Sequence, residues 1–148
     1  MIKVIATNKK AFHDYFIEEK YEAGIELVGS EVKSVRLGNV NLKDSFAIIK
    51  GGEIFLINAH IAPYNKGSYF NPQSKRDRRL LLHKQEINRL RGRVEKKGYT
   101  LVPTKIYFKD NLVKVELAVA KGKELHDKRQ ALKEKALNRE IERSIKDY

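Results

Sequence analysis

The chain has 148 residues, contains no cysteine and carries a formal net charge of +12, with an isoelectric point near 9.8. This length suits one domain, and the lack of cysteine excludes a disulfide framework and a thiolate zinc site. There is neither a signal-like apolar core at the N-terminus nor an apolar run of the ~20 residues that a membrane span needs, so we expect a soluble, cytoplasmic protein. The surplus of positive charge favours a polyanionic partner, nucleic acid before an acidic membrane surface.

The positive charge is concentrated in the middle of the chain. Residues 66–97 hold 11 Lys and Arg against 3 Asp and Glu, a net charge of +8. Residues 121–148 contribute only +3, and residues 1–65 are neutral overall. A solvated loop and helix would also be basic, but a concentration this steep favours the electrostatic footprint of a polyanion.

The first half of the chain predicts a strand, a short helix and further strands. IKVIATN indicates a strand, Asn8 is a suitable helix N-cap, and KKAFHDYF places Ala11, Phe12 and Phe16 at helical spacing. YEAGIELVGSEVKSVR alternates until Gly29-Ser30 and then resumes with a shifted phase, which predicts one long strand with a bulge. DSFAIIK and EIFLINAHI predict a hairpin that turns at Lys50-Gly51-Gly52-Glu53.

The second half predicts a loop, a helix and a second hairpin. PYNKGSYFNPQSKRDRR has no periodicity and is predicted to be a loop, while His83, Ile87, Leu90 and Val94 form one apolar helical stripe. Arg89, Arg93 and Lys96 form a separate basic stripe on that helix, and Gly98 is a suitable C-cap. TLVPTKIYF and LVKVELAVA then pair across Lys109-Asp110-Asn111, with Pro103 at an edge or bulge.

About six strands and two short helices predict a mainly β protein, a small closed or nearly closed antiparallel barrel. The inserted helix would cover one open end of the barrel. We therefore assign residues 1–120 to a barrel domain and residues 121–148 to a basic C-terminal tail, disordered until it becomes helical on a partner.

No motif predicts catalysis, a resident metal or another cofactor. None of the four histidines has the spacing of a chelating pair, and phosphate-loop and nucleophile-elbow motifs are absent. His13 and Asp14 are neighbours in a predicted helix, so their side chains should point apart. A cluster of glutamates could ligate a nuclease metal, although such a run is more often the solvent-exposed face of a strand; its members are Glu18, Glu19, Glu22, Glu26 and Glu31.

The chemistry that stands out is recognition of RNA. Tyr64, Tyr69 and Phe70 lie in a loop whose basic residues are Lys66, Lys75, Arg76, Arg78 and Arg79. Lys and Arg bind phosphates, and aromatic rings stack on unpaired bases. We therefore place Arg78 and Arg79 among the candidate RNA-binding residues, while simple packing remains an open alternative for the rings.

Six blocks of this sequence, in this order, resemble the bacterial SsrA-binding protein (small protein B) family. They are NKKAFHDYFIEEKYEAGIELVGSEVKSVR, GNVNLKDSFA, NAHIAPY, RRLLLHKQEI, GYTLVPTKIYF and AKGKELHDKR. The resemblance implies an OB-fold barrel without enzymatic activity that binds the tRNA-like domain of transfer-messenger RNA. It also implies delivery of that RNA to stalled ribosomes together with elongation factor Tu and GTP, and a monomer is expected.

The resemblance also implies particular RNA-binding residues. Asn8, Lys9, His13, Glu22 and Leu81 match the family's RNA-contact positions. Glu22 cannot bind phosphate, so its expected role is to accept hydrogen bonds from base edges or ribose hydroxyls, or to orient a basic neighbour. Glu31 also falls in a matching block, and we expect it to be buried or paired.

The tail matches the segment with which the family senses the ribosome. The resemblance implies that His126, Asp127, Lys128 and Arg129 face the decoding centre, and that the following residues, with Lys133 and Ile145, lie in the empty mRNA channel. The family usually has a second lysine where this chain has Glu124, which removes one positive charge beside these residues.

Two other functions fit parts of the sequence. A structural ribosomal protein would also combine a basic barrel with a tail, and it would be present on every ribosome, including those that translate actively. An OB-fold nuclease would use the glutamate cluster and a divalent metal, and its activity would be lost in Glu22→Gln.

Overall fold

The computed structural model describes residues 1–64 and 71–123. These residues form nine strands and three helices. The strands are β1 (Ile2–Thr7), β2 (Tyr15–Ile25), β3 (Val40–Asn41), β4 (Phe46–Lys50), β5 (Glu53–Ile57), β6 (His60–Ile61), β7 (Arg78–Leu81), β8 (Tyr99–Lys109) and β9 (Leu112–Gly122). The helices are α1 (Lys9–Asp14), α2 (Gly29–Arg36) and α3 (Lys84–Val94).

Six strands close into an antiparallel barrel. Neighbouring strands follow the order β1-β8-β4-β5-β7-β2-β9, and β9 also pairs with β8, which closes a ring without β1. Strand β1 is therefore an additional strand on the outside of β8, and β3 pairs with β6 in a separate two-stranded sheet. The predicted fold class, a mainly β antiparallel barrel of about six strands with short helices, is confirmed.

The two hairpins that the sequence predicts are both present. Lys50 pairs with Glu53 across two glycines of positive φ, and Lys109 pairs with Leu112 across a turn in which Asp110 has φ 56°. The register of β8 against β9 shifts between Pro103 and Lys105, which confirms the predicted bulge at the proline. The turn chemistry and the missing proline N–H account for these features locally.

The core fills the barrel and continues under α3. Ile54, Leu80, Leu101 and Val115 are fully buried inside the ring, and Ile87 and Leu90 of α3 pack against them. This confirms Ile87, Leu90 and the partly buried Val94 of the predicted stripe, whereas His83 is exposed and precedes the helix as its N-cap. The fully buried apolar side chains supply most of the driving force for closing the barrel.

The predicted long bulged strand through Gly29–Arg36 is wrong, because this segment is helix α2. Glu31 accepts a hydrogen bond from the Val28 backbone N–H (3.1 Å), which satisfies one of the unpaired donors at the helix N-terminus. Val35, on the side facing the barrel, is fully buried. The helix is then fixed by ion pairs from Glu31 to Arg76 and Arg78, 45 and 47 residues away.

Within the described ranges, the structure has no helix long and apolar enough to cross a membrane. The tail assigned from the sequence to residues 121–148 begins inside the fold, because β9 runs to Gly122. Residues 124–148 lie outside the described part of the chain, as do Tyr69 and Phe70.

Candidate nucleic-acid interface

Asn8 caps α1 and is buried. Its Oδ1 accepts from the Ala11 N–H (3.2 Å), and its Nδ2 donates to the carbonyl oxygens of Leu42 (3.2 Å) and Pro103 (2.9 Å). The predicted N-cap is confirmed. Both amide hydrogens are already used inside the protein, so this side chain offers RNA no donor. Its contribution to binding would be to hold α1 against the barrel.

The end of α1 presents an exposed histidine. His13 Nδ1 lies 2.9 Å from Asp14 Oδ1, so the expectation that these neighbouring side chains point apart is wrong. The chain becomes extended at Tyr15, immediately after Asp14, and the last turn of the helix lets the two side chains meet. The contact orients the imidazole while leaving the ring accessible to a base or a phosphate. Lys9 is also exposed on α1.

Two exposed phenylalanines flank His13. The sequence placed Phe12 and Phe16 with Ala11 on one helical stripe, but only Ala11 is buried, and the phenylalanines are 44% and 51% exposed. The Nζ of Lys20 lies 5.8 Å from the centre of the Phe12 ring, and the Nζ of Lys123 lies 5.3 Å from that of Phe16. Rings beside ammonium groups can stack on unpaired bases while the lysines approach phosphates. This aromatic end of α1 was not identified from the sequence.

A second candidate area is a groove of about 500 Å³ where β2 meets β7. Glu22, Leu81 and Arg79 line it together with Lys114 and the beginning of α3. We call it the β2–β7 groove. Leu81 is 45% exposed although it lies in a strand, so a large apolar side chain is available to a ligand.

The close pairing of Gly24 with Leu81 shapes this groove. A Cβ atom built at Gly24 would lie 3.2 Å from the Cβ of Leu81. The glycine therefore lets the leucine lie flat across the strand beside it. A side chain at position 24 would require Leu81 to move slightly, which would change the shape of the groove.

Glu22 is held as a carboxylate in this groove. The Tyr107 hydroxyl donates to its Oε2 (2.5 Å), and Lys109 Nζ lies 3.3 Å from its Oε1. The tyrosine hydrogen bond first, and then the lysines, lower the pKa of Glu22 below its ordinary value despite partial burial. Glu22 thus stays charged at neutral pH, where it repels phosphates and accepts hydrogen bonds from hydroxyl or amino groups.

Removing the Tyr107 hydroxyl is expected to raise the pKa of Glu22. The hydrogen bond stabilises the charged form, so Tyr107→Phe takes away the largest factor that lowers the pKa. An NMR titration of the Glu22 carboxyl carbon in both proteins measures the change. Lys109→Gln is the control for the weaker contribution and should raise the pKa less. An equal or larger shift in Lys109→Gln would contradict the dominant role of the tyrosine.

Arg78 and Arg79 have opposite environments. Arg78 is 0% exposed, donates from Nε to Glu31 Oε2 (2.7 Å) and from Nη1 to the carbonyl oxygen of Ala59 (2.7 Å). The prediction that Arg78 binds RNA is therefore wrong for this folded state, because its donors are consumed inside the protein. Arg79 is partly exposed in the groove, where it pairs with Glu26 (3.2 Å) and Glu53 (3.3 Å). It remains a candidate.

Glu31 has the buried, paired role that the sequence predicts. Burial would raise its pKa, but hydrogen bonds from Arg76, the Val28 N–H and Arg78 outweigh burial and hold the pKa below its ordinary value. It is therefore neither an RNA contact nor a metal ligand. In residues 1–64 and 71–123, no group of three or more His, Asp and Glu could hold a metal ion.

Lys114 is a groove residue that the sequence interpretation missed. Val113, Val115 and Leu117 alternate with Lys114 and Glu116, and this pattern places the two charged residues on the outer face of β9. The alternation was visible in the sequence. What was not visible is that β9 pairs with β2, which brings Lys114 opposite Gly24 and beside Glu22.

The candidate residues fall in two areas rather than one. His13 and the aromatic end of α1 lie at the start of β2, and Glu22 lies seven residues further along this strand. At ~3.3 Å per residue these areas are roughly 20 Å apart. One RNA molecule that contacts both areas therefore has to span this distance.

A closed barrel with a carboxylate-lined groove and an exposed basic and aromatic end belongs to the class of small β-barrel nucleic-acid-binding proteins. Comparison with known proteins narrows this class. The family profile described as SmpB protein matches residues 5–147. The chain therefore belongs to the SmpB protein family.

Individual relatives support this family assignment. The SsrA-binding protein of Caldicellulosiruptor bescii is 65% identical over 147 residues, which cover 99% of this chain and 93% of the relative. The SsrA-binding protein of Caldanaerobacter subterraneus is 63% identical over 146 residues, covering 99% and 92%. A solved structure described as "tmRNA-SmpB: a journey to the center of the bacterial ribosome" is 52% identical with a TM-score of 0.72, covering 86% of this chain and 93% of that one.

Proposed function

We propose that this protein is the RNA-binding adaptor of trans-translation. In this role it binds the tRNA-like domain of transfer-messenger RNA and delivers this RNA to stalled ribosomes, where the nascent chain is rescued and tagged. The observation that carries the proposal is the β2–β7 groove, in which the carboxylate of Glu22 and the exposed Leu81 lie together on the barrel of an SmpB-family chain.

The groove suits a nucleotide that is not hidden inside a duplex. Leu81 offers an apolar surface to the face of a base or sugar, and Glu22 accepts from a ribose hydroxyl or an exocyclic amino group. Lys114 and Arg79 supply positive charge at the rim for the backbone on either side. The carboxylate gives selectivity, because a phosphate placed against Glu22 would be repelled.

The end of α1 provides a second contact for the same adaptor role. Lys9 and His13 are exposed there beside Phe12 and Phe16, and their chemistry suits a phosphate and one or two unstacked bases. Asn8 supports this contact from inside by fixing α1 on the barrel.

The tail completes the proposed function. His126, Asp127, Lys128 and Arg129 would meet the decoding centre, and the residues up to Ile145, including Lys133, would lie in the mRNA channel when no message fills it. This part of the proposal rests on the sequence pattern, since residues 124–148 are outside the described part of the chain.

The remaining elements of the proposal concern partners and state. The protein acts as a monomer in the cytoplasm, without a cofactor of its own, and it meets elongation factor Tu with GTP through the aminoacylated RNA. It performs no chemical step itself, and its contribution is to position RNA.

The proposed function predicts selective binding. The full-length protein is expected to bind the isolated tRNA-like domain at least about a hundredfold more tightly than an ordinary tRNA at the same salt concentration. Fluorescence anisotropy with both labelled RNAs measures the ratio, and Leu81→Ala should reduce it while the exposed leucine variant Leu112→Ala should not. Equal affinity for the two RNAs would rule out the proposed function.

A further inference from the structure

Gly92 is a helical glycine without a structural reason in the fold. It lies inside α3, two residues before the helix ends at Val94, and it is exposed. A Cβ atom built at this position meets nothing within 4 Å, and its φ is not in the left-handed region. Glycine inside a helix is less stable than alanine, and neither packing against residues 1–64 and 71–123 nor backbone conformation requires it here. The missing side chain therefore leaves room for a group outside the described part of the chain.

The surface around Gly92 has a defined pattern. Gln85, Asn88 and Gly92 lie on one face of α3, opposite the buried Ile87 and Leu90. This uncharged strip, which we call the α3 face, has a row of basic residues on each side. The rows are Lys84 with Arg91, seven residues apart, and Arg89 with Arg93 and Lys96.

One of these rows is anchored to the barrel. Arg93 forms an ion pair with Glu19, and Arg89 interacts with Tyr21 and Glu19. The anchored side chains keep the second row at a fixed position beside the uncharged strip. Lys84, Arg91 and Lys96 are exposed, and residues 84–97 hold six Lys and Arg against two Glu.

The β2–β7 groove ends at the beginning of the helix that carries the α3 face. His83, Glu86 and Ile87, at the beginning of α3, are groove-lining residues. The 11 residues of α3 span about 16 Å in all, and the part after Ile87 extends roughly 10 Å beyond the groove. The α3 face lies on the other side of this helix, opposite Ile87, so an RNA held in the groove reaches it by crossing the first turn of α3.

This pattern fits the wide, shallow minor groove of an A-form duplex. That groove presents ribose 2′-hydroxyls in its centre and phosphates along its two edges. The amides of Gln85 and Asn88 can donate to and accept from hydroxyls, and Gly92 lets a sugar-phosphate strand approach the helix backbone. The exposed Lys84 and Arg91 reach towards phosphates on one edge, and Lys96 on the other. We propose that the α3 face docks a duplex segment of the tRNA-like domain, with Gly92 at the point of closest approach.

This inference rests on the proposed function. Gly92→Ala tests it because the substitution should weaken RNA binding without lowering the stability of the protein. Alanine should leave the melting temperature of the full-length protein unchanged or raise it by roughly 3 °C. The same substitution should weaken binding of the tRNA-like domain about tenfold, because the added methyl group occupies the contact surface. Loss of affinity by unfolding is excluded if stability does not fall.

Gly29→Ala is the matched control. Gly29 is also a helical position at which a Cβ would meet nothing within 4 Å, and it lies in α2, outside the groove. The Gly29→Ala variant should leave RNA affinity unchanged.

Charge variants give a second measurement. Lys84→Gln and Arg91→Gln should each reduce the slope of log K against log salt by roughly one, whereas Lys3→Gln in β1 should leave this slope unchanged.

The outcomes separate this inference from the function on which it rests. Wild-type affinity for the tRNA-like domain with a weakened Gly92→Ala variant supports both. Equal affinity of wild type and Gly92→Ala overturns the α3 contact and leaves the adaptor function standing. A variant that keeps its affinity for the tRNA-like domain but loses ribosome binding overturns the proposal in favour of ribosomal RNA, and a wild type without selective affinity overturns both.

Discussion

A chain that ends at Lys123 is expected to bind the tRNA-like domain within about twofold of the full-length affinity and to lose all tagging on stalled ribosomes. The barrel is complete at this point, because the Gly122 N–H donates to the Gly98 carbonyl oxygen (2.9 Å) and the Lys123 N–H to that of Asp14 (3.0 Å). Glu22, Leu81 and α3 all precede the cut. Residues 124–148 carry 7 Lys and Arg against 6 Asp and Glu, so their removal lowers the net charge by only one.

The measurements are anisotropy with the labelled tRNA-like domain and a reconstituted translation assay on a message without a stop codon. A chain that ends at Ala120 is the informative comparison, since it removes Lys121 and Gly122, which pair with Phe16 and Tyr15 in β2. That chain should lose stability as well as tagging. A full-length protein with Asp127, Lys128 and Arg129 replaced by alanine should bind RNA normally and fail in tagging. Weak RNA binding by the chain ending at Lys123 would show instead that the tail is a binding arm.

Local signals accounted for the hairpins and the third helix. The turn at Gly51-Gly52 and the bulge at Pro103 follow from backbone properties of the residues themselves. The stripe of Ile87 and Leu90 likewise needs only helical periodicity. The structure of these elements is therefore determined by residues that lie close together in the sequence.

Helix α2 shows where local reasoning fails. Gly29-Ser30 resembles a bulge, and Val32 and Val35 suit a strand as well as a helix. The helix is selected by Glu31, which binds the Val28 N–H locally and is fixed by two arginines that follow more than forty residues later. No pattern within Gly29–Arg36 indicates that Glu31 forms ion pairs with Arg76 and Arg78.

The sequence predicted several residues of the candidate site but not how these residues are arranged in space. The family motifs identified Glu22 and Leu81, but the pairing of β2 with β7 and β9 decides that they share a groove with Lys114. Asn8 was assigned to RNA from the family resemblance, and Arg78 from its place in a basic loop with aromatic residues. The fold uses both internally, and the exposure of a polar side chain depends on tertiary contacts that its identity does not encode.

The buried ion pair of Arg78 with Glu31 stabilises a strand that also lines the groove. Arg78 and Leu81 begin and end the same four-residue strand, β7, and Glu31 links this strand to α2. The ion pairs of Glu31 thus hold the strand that presents Leu81 to a ligand. Loss of these pairs should therefore lower the stability of the fold.

Glu31→Gln is expected to destabilise the protein by about 3 kcal/mol, a large part of the ~5–15 kcal/mol typical of a whole domain. Glu31 is 3% exposed and binds Arg76 (2.5 Å) and the fully buried Arg78 (2.6 Å). The amide keeps the shape of the side chain but leaves a buried guanidinium without its counter-charge. Urea unfolding followed by circular dichroism measures the difference at pH 7. Glu26→Gln is the matched control, because the exposed Glu26–Arg79 pair should contribute less than about 1 kcal/mol.

The same variant is expected to change how stability depends on pH. The pKa of Glu31 is lowered in the folded protein, so its ion pairs stabilise the fold fully above the unfolded value of ~4.3 and lose their effect as the pH falls through the folded pKa. The difference in unfolding free energy between wild type and Glu31→Gln should therefore be largest near pH 7 and narrow below about pH 4. Unfolding curves recorded from pH 7 to pH 3 measure this convergence. A difference that stays constant across the range would mean that packing of the carboxyl group, and not its charge, holds α2 to β7.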